Sequence, residues 1–471
     1  MPTHGRVASR RLVKASDASI EPHVVAFSNL DLLNDVQMSM TCVYPRPLLG
    51  DFNGVVAAFE AQLPSFLNYF FHLSGRIMRN PSSGLPELRC HNQGAELVVA
   101  HADVELGTLN WALTEESLKK IQLPYAEEVP LSVQLVSFTC GGFAVVWGTH
   151  HLIGDGHFGA MLVKMGSEVV RSGTITRDAP THDRSVLFRP RNPLSYSASV
   201  AGMFTPWDHE HQVNALTAEE SFICRLYRVD GHDIARLREA ASTEGRRATR
   251  VQAVSAYLWN VFAGVVAAST RPTETDPRCR MLWWVDGRRR LSPPPELRSR
   301  LRSYTGNVMS YAQVDASAHT VLAESLPNVA TMVREAIAAR NYDEMYQDLV
   351  DWVEEQKPAR LIETPTVGLG SPTVAQTMVS SSFPIDADFG FGQAALVMPV
   401  ESSFGRLCAS LLSICARPGD TESWIVSAYI WPCLAAALES EEQRVFKPLT
   451  AEYLGLTRGN HEPADEARPR L

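Results

Sequence analysis

The chain has 471 residues, 45% of them hydrophobic and 20% charged, with a formal net charge of -9. That length exceeds what one core usually supports, so two domains are predicted, and the composition excludes wholesale disorder. The acidic balance leaves no broad basic surface for a polyanion, which argues against nucleic acid as a partner.

In chain order, the start MPTHGRVASRRLVKASDAS is basic and serine-containing. It could be a transit peptide, but we read it as an exposed terminus leading into a first strand. After HVVAFSNLDLL, the segment FNGVVAAFEAQLPSFLNYFF repeats its apolar positions at three- and four-residue steps, which predicts a helix. LPELRCHNQGAELVVAHA is strand-like. LSVQLVSFTCGGFAVVWGTHH reads as two strands joined at Gly141 and Gly142, a pair suited to positive φ in a tight turn. His150 and His151 therefore end a strand. Beyond them Phe158, Met161, Leu162, Met165 and Val169 share one helix face. The stretch THHLIGDGH, residues 149–157, is thus a strand-to-helix junction with Asp155 and Gly156 at the turn.

Residues 189–216, RPRNPLSYSASVAGMFTPWDHEHQVNAL, lack periodicity and carry Pro, Ser and Gly, as a linker does. ESFICRLYRV then predicts a strand, and GHDIARLREAAST and RVQAVSAYLWNVFAGVVAAS predict helices, the second apolar enough to be buried. MLWWVDGRRRL is a strand ending in a basic turn, and LAESLPNVATMVREAIAARNYDEMYQDLVDWVEEQ supplies long amphipathic helices. TVAQTMVSSSF, AALVMPV, RLCASLLSICA and SWIVSAYIW are strands, and TRGNHEPADEARPRL is a polar tail. Strands and helices interleaved in both halves predict an α/β fold of two mixed-sheet layers with a pocket between them.

The eight cysteines, at positions 42, 90, 140, 224, 279, 408, 415 and 433, form no CxxC pair. Neither a structural zinc nor a disulfide framework is expected, and a reducing cytoplasmic location follows. No Asn-x-Ser/Thr sequon occurs, and we expect no apolar run of membrane-spanning length.

Four residues of THHLIGDGH, His150, His151, Asp155 and His157, could ligate a metal. Adjacent strand residues point to opposite faces, however, and no HExxH helix is present, so no metal is expected. A serine nucleophile lacks its GxSxG elbow. Gly390, Gly392 and Ala395 satisfy a loose GxGxxG/A form, but a strand-like LVMPV follows where a dinucleotide site needs a long helix. A histidine acting alone as general base remains, since neutral imidazole accepts a proton near pH 7. An HxxxD turn by itself is more often packing than catalysis.

The second stretch, SSSFPIDADFGFG at 380–392, supplies context. Together, His151-Leu-Ile-Gly-Asp155-Gly156 and Asp388-Phe-Gly390-Phe-Gly392 resemble the HxxxDG and DFGWG motifs of the BAHD family of acyl-CoA-dependent acyltransferases. SNLDL at 28–32, HLSGRI at 72–77, VSAYLWN at 254–260, VDGRRRLSPPP and YTGN at 304–307 resemble further landmarks, in the family's order.

The resemblance implies two similar-sized domains of chloramphenicol-acetyltransferase-like architecture, here 1–188 and 217–471, joined by the crossover linker 189–216 around a solvent channel. It implies His151 as general base and Asp155 as its catalytic-motif partner, paired structurally with Arg288. Gly156, Asp388, Gly390 and Gly392 would shape the two motif loops. The donor would be acyl-CoA, with no permanently bound cofactor, and Arg288, Arg290, Arg302 and Asn307 are candidates to contact it. The arginine run from Arg288 to Arg302 is the densest basic stretch of the chain.

The acceptor would be a small-molecule alcohol or amine of specialised metabolism, and an aromatic acyl group such as hydroxycinnamoyl or benzoyl is favoured over acetyl or malonyl. A monomer is expected. Phe391 stands where the family has tryptophan, and Thr305 where it often has phenylalanine. A rival reading is a non-catalytic accessory relative in lipid or wax elongation, which the intact pair of motifs disfavours.

Overall fold

The computed structural model describes residues 5–176, 178–207, 222–269, 276–367, 370–379, 385, 387–401, 409–440 and 444–457. The last third of the predicted linker, 208–216, and residues 380–384 and 386 of the downstream motif stretch lie outside the described residues.

Two sheets organise the chain. The first has six strands, in the order Gly5–Val13, Ala95–Ala102, Leu131–Phe138, Phe143–His150, Gln37–Tyr44 and Leu396–Glu401. It is antiparallel except where Ala95–Ala102 runs parallel to Leu131–Phe138. The second has seven strands, in the order Met309–Ser317, Arg278–Asp286, Thr373–Met378, Ser410–Arg417, Asp420–Ile430, Ile223–Val229 and Lys447–Pro448. Here Thr373–Met378 is parallel to both neighbours.

Periodicity explains the helices that cover these sheets. The first sheet packs against Phe52–Tyr69 and Gly156–Ser172, which bury Phe59, Leu63, Phe66, Phe158, Met161 and Met165 around Trp147. Gly166 stands against that indole, where an added Cβ would lie 2.6 Å from a ring carbon. The second sheet buries Arg250–Ser269 on one face, through Trp259, Phe262 and Val266. Its other face receives Tyr342–Gln356. Arg250–Ser269 is long and apolar enough to cross a membrane, so the expectation that no run reaches that length is corrected. Its buried face packs against the other helices and the sheet.

The strand Leu396–Glu401 corrects the predicted domain division. Although it follows the second motif, it pairs antiparallel with Gln37–Tyr44 and forms an edge of the first sheet, Leu396 opposite Val43 and Glu401 opposite Met38. Alternation alone cannot say which sheet an apolar strand joins. Gln37–Tyr44 itself was not among the predicted strands. A further apolar cluster joins the halves, with Val43, Val146, Leu396 and Met398 packed with Leu226, Cys415, Ile425 and Leu449.

The described part of the linker is ordered against the second half. Arg191 bonds Asp348 at 2.6 Å and also meets Asp351, and Phe204–Pro206 pairs with Leu361–Glu363.

Candidate active site

The two strands of the Gly141 turn deliver the histidines. Gly141 has φ of 84°, and Phe143–His150 runs beside Gln37–Tyr44 with His150 opposite Gln37. The His151 amide then donates to the Val36 carbonyl at 2.8 Å, which holds the first residue of the junction. At the other end Asp155 caps the helix Gly156–Ser172, its carboxylate accepting from the backbone of His157 (3.1 Å) and Phe158 (3.3 Å). Gly173, with φ of 79°, closes that helix.

Neither glycine flanking Asp155 has a positive φ, so the expectation that Gly156 sits at the turn is corrected. Gly156 is the first helical residue, and an added Cβ would lie 3.3 Å from Val379 across the cavity. The tightest approach is at Gly154, where a Cβ would collide with the Thr305 carbonyl and the Phe158 side chain.

His151 is oriented by Asn307 and not by Asp155. Its Nδ1 lies 3.0 Å from Asn307 Oδ1. The amide nitrogen of Asn307 faces two acceptors, Asp31 Oδ1 at 2.9 Å and the His151 carbonyl at 2.8 Å, which assigns the amide oxygen to the imidazole. Nδ1 therefore carries the proton and donates, and Nε2 presents its lone pair. Asp31 is fully buried. It also accepts from the Asn307 backbone (2.7 Å) and from Ser28, and Arg184 lies 3.2 Å away.

Asp155 belongs to a separate buried cluster. Arg288 Nη1 lies 2.7 Å from its carboxylate, and the Val308 amide donates to it at 2.9 Å. Arg288 also donates to Asp286 and to the carbonyls of Tyr304 and Gly306. Burial alone would raise the Asp155 carboxyl, but the Arg288 guanidinium outweighs it and holds the pKa below the usual carboxylate value. Burial lowers the pKa of His151, so its imidazole is neutral at pH 7.

The remaining histidines of the junction have other partners. His150 is buried with Nε2 3.6 Å from Asp35, and its Nδ1 accepts from the Leu152 amide. His157 Nε2 meets the Arg302 carbonyl at 3.1 Å.

The downstream motif folds as a side-chain-capped loop. Asp388 accepts from the amides of Gly390 (2.8 Å) and Gly392 (3.2 Å), whose φ angles of 96° and 108° suit glycine. Phe389 is driven into the first core, 5.2 Å from Phe59 and stacked on Trp147. Phe391 meets Phe143 edge to face, so the residue in the family's tryptophan position packs as an aromatic wedge.

His151 opens into a cavity lined from both sheets. The first sheet contributes Met38, Met40 and Pro399, and the second contributes Trp284, Met309, Thr377, Leu411 and Ser413. Asp35, Trp207, Arg360 and Glu363 add charged and aromatic groups to its lining, beside Asn34 and Thr366. None of the four residues suggested for CoA contact lines this cavity. Arg288 and Asn307 are corrected outright, because their polar groups are engaged inside the protein and the two residues are 8% and 0% exposed. Arg290 and Arg302 are exposed, Arg302 in the short helix Arg298–Ser303.

Asp31, Arg184, Asp35, Trp207, Trp284, Arg360 and Glu363 were not singled out from sequence. SNLDL and YTGN were recognisable as landmarks, and the polar residues within them are the ones that meet at His151. Nothing in the sequence marked the others.

A family model described as Transferase family matches residues 6–428. Acyltransferase GLAUCE of Arabidopsis thaliana is 30% identical over 309 residues, covering 63% of this chain and 66% of that protein. Putrescine hydroxycinnamoyltransferase of Oryza sativa subsp. japonica is 26% identical over 423 residues, covering 84% and 90%. Among solved structures, vinorine synthase superposes with a TM-score of 0.65 at 20% identity, covering 96% of each chain. TRI101 of F. graminearum, complexed with coenzyme A and deoxynivalenol, superposes with a TM-score of 0.71 at 14% identity, covering 89% of this chain and 98% of that one. At these identities the structural likeness shows the fold, the two-domain mixed-sheet architecture shared with both.

Proposed function

Because the chain belongs to the Transferase family, the BAHD-type acyl-CoA-dependent acyltransferases, we propose that it moves an aromatic acyl group from coenzyme A to a hydroxyl or amine, with His151 as general base. The observation that carries the reading is the orientation of one imidazole. Nδ1 is committed to Asn307, and Nε2 is left open to a cavity that both halves line. Met38, Met40, Met309 and Trp284 give that cavity apolar walls suited to an aromatic acyl chain. Relatives named for hydroxycinnamoyl, coumaroyl and benzoyl transfer lend the same preference weight.

In the proposed reaction the acceptor O–H or N–H gives its proton to His151 Nε2 while its lone pair attacks the thioester carbonyl carbon. The carbonyl electrons move to oxygen, forming a tetrahedral oxyanion. Collapse restores the carbonyl, breaks the C–S bond and releases the thiolate, which takes the proton from the imidazolium. Asp155 acts through the fold, as helix cap and as the counter-ion of Arg288. Exposed Arg290 and Arg302 remain our candidates for the donor's phosphates.

Thiol release with a panel of acyl-CoAs and pooled alcohol and amine acceptors tests the reading. His151→Ala should lower turnover by about two to four orders of magnitude while leaving the unfolding midpoint close to wild type. Wild type releasing no more acceptor-dependent thiol than the variant would return the chain to the accessory reading.

A further inference from the structure

Among the described residues, one charged group in the cavity is left without a counter-charge. Arg360 is committed elsewhere, its guanidinium lying 4.1 Å over the Trp207 ring and 3.7 Å from the Asp35 carboxylate while donating to the Asp35 carbonyl at 2.8 Å. Glu363 ends the strand Leu361–Glu363, and its Oε1 accepts from the Trp284 indole N–H at 3.3 Å. Among the described residues its carboxylate has no Lys, Arg or His within ion-pair distance.

The exposure that Glu363 keeps is to the cavity, since it is half-buried by surface yet lined into the pocket that His151 shares. Burial pushes its pKa above the usual carboxylate value, as expected for an anion that the protein itself leaves uncompensated. A desolvated carboxylate is stabilised by a cation arriving with a ligand. Two indoles line the same cavity, and indole faces also favour a cation. With Asp35 offset by Arg360 and His151 neutral, the lining has one negative charge to spare.

We propose that the acceptor is an aliphatic amine with a second, cationic nitrogen, and that Glu363 and the indoles of Trp207 and Trp284 hold that cation while the other nitrogen is acylated at His151. The inference rests on the acyl-transfer reading above and adds the acceptor class. The reacting nitrogen attacks as the free base and loses one proton to His151, and the distal cation is unchanged through the reaction. Specificity then comes from a charge remote from the chemistry, so it acts on acceptor binding more than on the chemical step.

The test compares diaminobutane with butylamine as acceptors for one aromatic acyl-CoA. Wild type should prefer the diamine in kcat/KM by about 10- to 100-fold, the range for one hydrogen-bonded charge. Glu363→Gln, which keeps the size and the bond to Trp284, should bring that ratio to about one, mainly through KM. Glu363→Asp, which keeps the charge, should retain part of the preference.

Calorimetric titration of diaminobutane reads the same anchor without turnover. Binding weakened by Glu363→Gln in a protein that releases no thiol would sink the acyl-transfer reading and keep the anchor. Turnover of butylamine, with Glu363→Gln altering neither the ratio nor diamine binding, would overturn the anchor and leave acyl transfer standing.

Discussion

At the scale of single residues, the partner of His151 Nδ1 is a neutral amide held in place by a buried carboxylate. A carboxylate in direct contact would stabilise the imidazolium. Asn307 fixes the ring with less pull on the proton, and burial keeps the pKa below the ordinary 6.5. In wild type the acid limb of kcat/KM for an alcohol acceptor should therefore have its midpoint below 6.5. Asn307→Leu removes both the tether and the hydrogen bond that raises the imidazole pKa. It should lower kcat by on the order of 100-fold and move the acid limb further down. A merely structural role would leave the pH profile in place. Asp155→Ala should behave differently, because it leaves Arg288 buried beside a missing partner. We expect a loss of about 3 to 5 kcal/mol in urea unfolding, larger than for His151→Ala. The HxxxD spacing alone suggested a pair, the resemblance implied two different roles, and the structure gives the two residues separate partners, Asn307 for His151 and Arg288 for Asp155.

At the scale of elements, the strand-to-helix junction and the DFGFG loop illustrate what local sequence conveys. The Gly141 turn and the helix face from Phe158 to Val169 follow from spacing and residue type, and both lie where pattern reasoning places them, whereas the Asp155 cap emerged from the structure. Clearance does not follow from spacing. Gly154 and Gly166 are glycines because Thr305 and Trp147 approach from distant segments. Glycine substitutions separate the two causes of glycine use. Gly390 has open space around it, its nearest atom being Arg171 Cγ at 3.9 Å, but a φ of 96°. Gly390→Ala should destabilise by about 1 to 2 kcal/mol through backbone strain alone. Gly264 lies within the helix Arg250–Ser269 with nothing within 4 Å of an added Cβ. Gly264→Ala should stabilise by about 0.5 to 1 kcal/mol. Equal signs for the two in denaturant unfolding would contradict these assignments.

At the scale of the whole molecule, the second half is threaded back into the first. Leu396–Glu401 completes the six-stranded sheet, Phe389 packs on Trp147, and Arg288 of the second half grips Asp155 of the first. The segment after the motif helix is clipped into place by His182, which contacts Tyr69 and Thr305 and lies 4.1 Å from the buried ring of His72, which has no hydrogen bond among the described residues. Burial lowers both pKa values, that of His182 to about 4. An unfolded histidine titrates near 6.5, so below that value the unfolded chain binds more protons. Stability should be intact above about pH 6.5 and fall progressively toward about pH 4. His72→Leu should shrink the loss of unfolding midpoint between about pH 7.5 and about pH 5 relative to wild type. An unchanged loss would remove His72 from the account.

The sequence by itself determined the class of most of its elements, the two motifs and, through their resemblance, the family. Periodicity and turn chemistry are local, and motif order survives without knowledge of contacts. Only the tertiary structure decided that Asn307 and Asp31 orient His151, that Leu396–Glu401 belongs to the first sheet, and that Glu363 faces His151's cavity with no counter-charge among the described residues. Each of these joins residues far apart in the chain, where apolar pattern and residue type are compatible with many partners and burial selects one.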